Sequence, residues 1–266
     1  NRENAKGFYV IAKIENREGV ENIDDILKIA DGIMIARGDL GVEIPPEQVP
    51  VIQKNIINKC NKAAKPVITA TQMLNSMIDN PRPTRAEASD VANAIFDGTD
   101  AIMLSGESAM GQYPLESVET MARIAKEIEQ SPSYQEMLMG KSLVPSDTVT
   151  EAISFASCKT AMDLNAKYII TSTNSGLTAR MVSRNKPYPS IIAVTPNKWV
   201  KHLLTLVWGV YPMQVVESKN TDEMIDNALE AVKSRDMVER GDLVTITAGV
   251  PVGVSGTTNL IEVIRV

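Results

Sequence analysis

IAKIENREGVENIDDILKIADGIMIARGDL, running from Ile11 to Leu40, is framed by two short apolar runs, Phe8 to Ile14 and Gly32 to Ala36, each ending beside a carboxylate and a basic residue. Side chains alternate along a strand, so Lys13 and Glu15, two positions apart, project from one face at the end of the first run. The second run closes on Ala36-Arg37-Gly38-Asp39, which brings another carboxylate to the end of the neighbouring strand. Two carboxylates and one ammonium can then converge. Hard divalent cations take oxygen ligands, and Mg2+ is typically held by one or two carboxylates together with substrate phosphate and water. A lysine beside them supplies a point charge for a phosphate. Alone, Lys-x-Glu at a strand end is also the form of a solvated pair that contributes almost nothing. Recurrence one βα unit further on, a repeat of about thirty residues, favours a site.

Downstream, strand-like and helix-like segments keep alternating in the manner of an α/β protein. Helical spacing is expected over Val20 to Ile29 and Pro46 to Ala63, and a third strand over Val67 to Ala70 leads into Thr71-Gln72. Thr84-Arg85-Ala86-Glu87 reads as a capping box that opens a helix reaching about Phe96. A fourth strand, Ala101 to Leu104, ends in Ser105-Gly106-Glu107, and a helix follows from Pro114 to Gln130. In each repeat the polar residues gather just after the strand, where barrels place their chemistry. Four such strands make half of an eight-stranded barrel, with inward faces and strand edges that natural folds do not leave bare.

From Ser131 to Asp147 the pattern loosens and reads as a linker; a second α/β unit follows. Helices are expected over Val149 to Asp163, Gly176 to Arg184, Lys198 to Val207 and Thr221 to Arg235. They alternate with strands over Tyr168 to Ser172, Ser190 to Val194, Val210 to Val215 and Asp242 to Ala248. A Gly-rich hairpin loop, Gly249 to Asn259, precedes an edge strand reaching Val266. The domain division is drawn at 140/141.

The 266 residues, 44% hydrophobic and 23% charged, are ordinary globular material for about two domains. A net charge of −6 with scattered Lys and Arg argues against a general nucleic-acid binder. Cys60 and Cys158 stand apart, without metal or disulfide spacing, which suits a reducing compartment and a cytoplasmic location. No apolar run approaches a membrane span, and the start has no signal-peptide form. Asn1 rather than Met opens the chain, and the expectation is that it begins partway through something longer.

AKIEN, MIARGDLGVEIP, ITATQML, NPRPTRAEASDVANA and DGTDAIMLSGESAMGQYP, in this order and spacing, resemble pyruvate kinase, and IIAVTPN, GVYP and AGVPVGVSGTTNLIEV resemble its C-terminal domain. The resemblance implies the C-terminal half of a (β/α)8 TIM-type barrel over 1–140, followed by a separate α/β regulatory domain with a mixed sheet over 141–266. It implies phosphoryl transfer from phosphoenolpyruvate to ADP, in a family that is homotetrameric and glycolytic. By the same resemblance Glu15 and Asp39 hold Mg2+ or Mn2+, Lys13 acts on the phosphoryl group in flight, and Gly38 and Asp39 offer amides to the substrate carboxylate. Thr71 lies beside the enolate carbon. The family's K+ ligands and nucleotide-side residues fall outside this chain, so the isolated polypeptide is expected to be inactive and to self-associate. Thr171 to Thr178, TSTNSGLT, has the form of a phosphate nest or of a plain helix cap. The resemblance makes Thr173, Ser175, Gly176 and Thr178 candidates for an effector phosphate, although Asn174 and Leu177 replace the Lys and Arg of some members. Asn75 likewise departs from the acid many members carry there. The rival reading is a non-catalytic metabolite-binding fragment or paralogue that assembles with a partner.

Overall fold

In the computed structural model, residues 8–134, 136, 147–254 and 256–266 are described. They divide into two compact units, Asn1–Glu136 and Met137–Val266. The expected boundary at 140/141, and most of the expected linker, lie outside the described residues.

The first unit is a four-stranded parallel sheet in sequential order, β1 (Ile11–Ile14), β2 (Gly32–Ala36), β3 (Val67–Ala70) and β4 (Ala101–Met103). Sequential parallel neighbours, each followed by helix, are the arrangement of a half-barrel. The central strands read GIMIA and VITA, nearly unbroken apolar runs, because helices and neighbours cover both their faces. Around them pack α2 (Ile23–Ile29), the short α3 (Arg37–Glu43) and α4 (Val49–Lys62), which bury Leu27, Leu40, Ile56 and Ile57 against Ile33 and Ile35. Each such side chain contributes roughly 1.5–3 kcal/mol by leaving water. The capping box is present: Thr84 and Glu87 open α5 (Arg85–Asp97), and Gly98 in the left-handed region closes it. A β-carbon at Gly98 would lie 2.9 Å from Asn61 Nδ2, so the turn into β4 needs glycine twice over.

Two expectations are corrected in this unit. The first strand starts at Ile11, not Phe8, because its partner begins at Gly32 and Ile11 is opposite it. Val10 instead meets Asp31, donating its N–H to the carboxylate at 3.0 Å and accepting that residue's N–H at 2.8 Å. The helix expected from Val20 is two helices, α1 (Arg17–Glu21) and α2, broken at Asn22. Asn16 starts the first by accepting the Gly19 N–H, a short polar cap hidden inside a run that reads as loop. A one-turn helix, α6 (Gly106–Ala109), and the long α7 (Pro114–Gln130) complete the described part of the unit.

The second unit is a five-stranded mixed sheet in the order β7-β6-β5-β8-β9, built from β5 (Tyr168–Ser172), β6 (Ser190–Thr195), β7 (Val210–Gln214), β8 (Leu243–Ala248) and β9 (Leu260–Arg265). Among the described residues only β8 and β9 pair antiparallel, which makes β9 an edge. One face carries α8 (Val149–Asp163), α9 (Leu177–Ser183) and α10 (Lys198–Leu204) over Ile169, Ile191 and Ala193. The other carries α11 (Thr221–Lys233) over Ile170, Ile192 and Ile246. Among the described residues no helix is long and apolar enough to cross a membrane.

Candidate active site

The C-terminal ends of β1, β2 and β3 lie side by side, since the ladder pairs Ile14 with Ile35 and Ala36 with Ala70. Lys13, on β1, and Glu15, the residue just past its end, are joined by an ion pair between their side chains. Lys13 Nζ also donates to Asp39 Oδ2 at 2.8 Å, reaching across to the first turn of α3. Its hydrogen bond to Asp39, then that to Glu15, push the ammonium's pKa up to about 12, so it is charged at neutral pH. One cation therefore sits between two carboxylates, all three about half exposed.

Between β2 and β3 the connection is reciprocal. The backbone N–H of Gly38 donates to Thr71 Oγ1 at 2.7 Å, while the Arg37 side chain reaches the other way and donates to the Thr71 carbonyl at 2.8 Å. Thr71 and Gln72 both adopt positive φ, 68° and 53°. For residues other than glycine such backbone costs on the order of 1–3 kcal/mol each and persists only where neighbours hold it. Arg37 is buried, and its guanidinium also donates to Asp90 Oδ1 at 2.7 Å. Glu107, 2% exposed, fastens the next pair of turns: its two carboxylate oxygens accept the N–H groups of Leu74 at 3.0 Å and Ser105 at 2.8 Å.

Among the described residues no group of three or more His, Cys, Asp or Glu comes together that could hold an ion unaided. Glu15 and Asp39 nevertheless suit a divalent cation of the Mg2+ type, which needs only one or two protein carboxylates when substrate oxygens and water complete its shell. Both carboxylates already contact one positive charge, so their oxygens face a common point. A cation flanked by two carboxylates can neutralise phosphoryl oxygens, and phosphoryl transfer needs charge and positioning more than a covalent nucleophile.

Two family descriptions match the chain, "Pyruvate kinase, barrel domain" over residues 1–118 and "Pyruvate kinase, alpha/beta domain" over 151–264. The chain belongs to the pyruvate kinase family. It is 58% identical over 254 residues to the pyruvate kinase of Geobacillus stearothermophilus, covering 96% of this chain and 43% of that protein. Against the pyruvate kinase of Clostridium acetobutylicum it is 53% identical over 263 residues, covering 99% of this chain and 56% of the relative. A crystal structure of a pyruvate kinase from Cryptosporidium parvum superposes with a TM-score of 0.86 at 45% identity, over 96% of this chain and 51% of that one. The chain thus spans about half the length of the pyruvate kinases it matches, and its first unit is part of a pyruvate kinase barrel, followed by the separate mixed-sheet domain.

Of the residues expected at the site, Lys13, Glu15 and Asp39 are drawn together by direct contacts, and Gly38 and Thr71 by the hydrogen bond between them. Of the four expected effector residues, Thr173, Ser175 and Gly176 lie in the β5–α9 turn and Thr178 in the first turn of α9, and three are engaged internally. Thr173 Oγ1 accepts the Gly176 N–H at 3.0 Å, and Thr178 Oγ1 meets Thr258 Oγ1 at 2.9 Å; Ser175 is exposed. Arg37 was legible only as part of a motif, because no local pattern distinguishes a buried arginine from a solvated one. Glu107 stood out as a polar residue after the fourth strand, but not as a double acceptor of backbone N–H groups.

Proposed function

We propose that this chain supplies the phosphoryl- and enolate-binding side of a pyruvate kinase, which moves the phosphoryl group of phosphoenolpyruvate to ADP and releases pyruvate and ATP. The observation that carries the proposal is Lys13 held between Glu15 and Asp39, with Gly38, the residue before Asp39, donating its amide to the Thr71 hydroxyl. Lys13 keeps its charge and stabilises the phosphoryl oxygens most as the bond to the enol oxygen breaks. Glu15 and Asp39 would hold Mg2+ or Mn2+, which supplies charge neutralisation at the phosphoryl group when bound. The Gly38 N–H, now donated to Thr71 Oγ1, is placed to turn to the substrate carboxylate. That exchange releases the Thr71 hydroxyl to order the proton donor for the methylene carbon of the enolate, which becomes the methyl group of pyruvate.

Glu15→Gln and Asp39→Asn in the intact protein test this reading. In a coupled pyruvate assay each should lower turnover about 10²-fold or more and raise the Mg2+ concentration needed, since each removes an anionic ligand from a hard cation. Wild-type turnover at low Mg2+ in either variant contradicts the assignment. The 266-residue polypeptide alone is expected to show no turnover, because it matches only 43% to 56% of the length of its relatives.

A further inference from the structure

We propose that Arg37 is a positioning residue for the transfer centre, acting through the backbone of Thr71 and Gln72 rather than on substrate. The inference rests on the phosphoryl-transfer reading above. Its side chain is only 8% exposed. A buried charge has to be matched by fixed partners, and here most of them belong to one turn. One terminal nitrogen donates to Asp90 Oδ1 at 2.7 Å and lies 3.4 Å from Gln53 Oε1. The other donates to the Thr71 carbonyl at 2.8 Å and stands 3.4 Å from the Gln72 carbonyl and 3.2 Å from Met73 Sδ. The two residues whose carbonyls it meets are the two with left-handed backbone after β3. A planar fork can hold Asp90 on one side and that turn on the other; an ammonium on a flexible stem cannot.

The consequence for the site follows from the reverse contact. Thr71 Oγ1 lies 2.7 Å from the Gly38 nitrogen, and a β-carbon on Gly38 would come within 3.2 Å of the same oxygen. Residues 37–39 and 71–72 are therefore a clasp in which each turn grips the other, and Asp39, one residue on, bonds Lys13. Without the guanidinium, the 71–72 turn is free to relax toward right-handed backbone, which carries the hydroxyl away from the position it holds beside the Gly38 amide before substrate binds and from which it would serve the enolate afterwards.

The test uses the intact protein with Arg37→Met, Arg37→Lys and Asp90→Asn. Two readouts are taken: steady-state kinetics, and hydrogen exchange of the Gly38 amide without ligand, with the Ile35 amide as reference. A positioning role predicts that kcat falls at least 10-fold in Arg37→Met, with the KM for ADP within 3-fold of wild type. Gly38 should then exchange at least 10-fold faster while Ile35 does not. Arg37→Lys should recover less than a third of the lost kcat, and Asp90→Asn, which keeps the guanidinium but loosens its anchor, should fall between. A folded Arg37→Met with unchanged kcat, or with lowered kcat and unchanged Gly38 exchange, overturns the inference. Should Arg37→Met not fold, the same criteria apply to Arg37→Lys and Asp90→Asn. Should the wild-type protein turn over no phosphoenolpyruvate, the function reading fails, and the exchange data alone decide whether Arg37 fixes the clasp.

Discussion

Lys13 touches both carboxylates that would hold a divalent cation, yet in the proposed reaction its role differs in kind from theirs. A cation acting on a migrating phosphoryl group contributes most where charge is spread in the transition state, so Lys13→Met in the intact protein should lower kcat far more than it raises the KM for phosphoenolpyruvate. A raised KM at unchanged kcat would make Lys13 a ground-state binder. The Lys13–Glu15 contact was legible because strand alternation puts residues two apart on one face, and Asp39 followed from one further βα repeat. Thr71 was legible by position only. Nothing in a β-branched residue forecasts a φ of 68°, and the conformation becomes intelligible only when Arg37 is seen holding its carbonyl.

At the scale of elements, sequence and structure agree where a helix carries its own end signals and part where it does not. Thr84 and Glu87 close a capping box around the start of α5, and Glu87 also accepts the Ser76 N–H at 2.6 Å, tying the loop after β3 to that helix. Burial works to raise the Glu87 pKa, but hydrogen bonds from Ser76 and Thr84 outweigh it and hold the carboxyl below its ordinary value. A depressed folded-state pKa means a contribution to stability that is present above the unfolded value, about 4.3, and is lost as pH falls through the folded one. Glu87→Gln should therefore flatten the acid limb of the stability curve below about pH 4.5, and Thr84→Ala should cost about 1 kcal/mol in denaturant melts at neutral pH. An acid limb identical in Glu87→Gln and wild type would remove Glu87 from the account. By contrast, the break at Asn22 left no trace in the apolar spacing, since Val20, Ile23, Ile26 and Leu27 sustain a helical period across it. Phe8 to Val10 read as strand because they are apolar, although a strand extends only as far as its partner does.

For the whole molecule, two units with separate cores make different demands. The second unit has cores on both faces of a five-stranded sheet, so residues 147–266 should fold alone and melt cooperatively; a broad, non-cooperative transition would show that this unit depends on the rest of the chain. In the first unit β1 and β4 are the sheet edges among the described residues, and beside β1 a groove is lined by Phe8, Val10, Ile26 and Ile29. The succession of βα repeats was readable from period and punctuation. The order β7-β6-β5-β8-β9 was not, because strand neighbours are set by contacts far apart in the chain. The proposed reaction has Glu15 and Asp39 holding one metal ion beside Lys13 and the substrate phosphate. Anomalous scattering from crystals of the intact protein grown with Mn2+ and phosphoenolpyruvate tests it directly. A single peak within direct-coordination distance of both carboxylates and a phosphate oxygen, lost in Asp39→Asn, is the expected result; a well-occupied peak that touches neither Glu15 nor Asp39 would overturn the assignment.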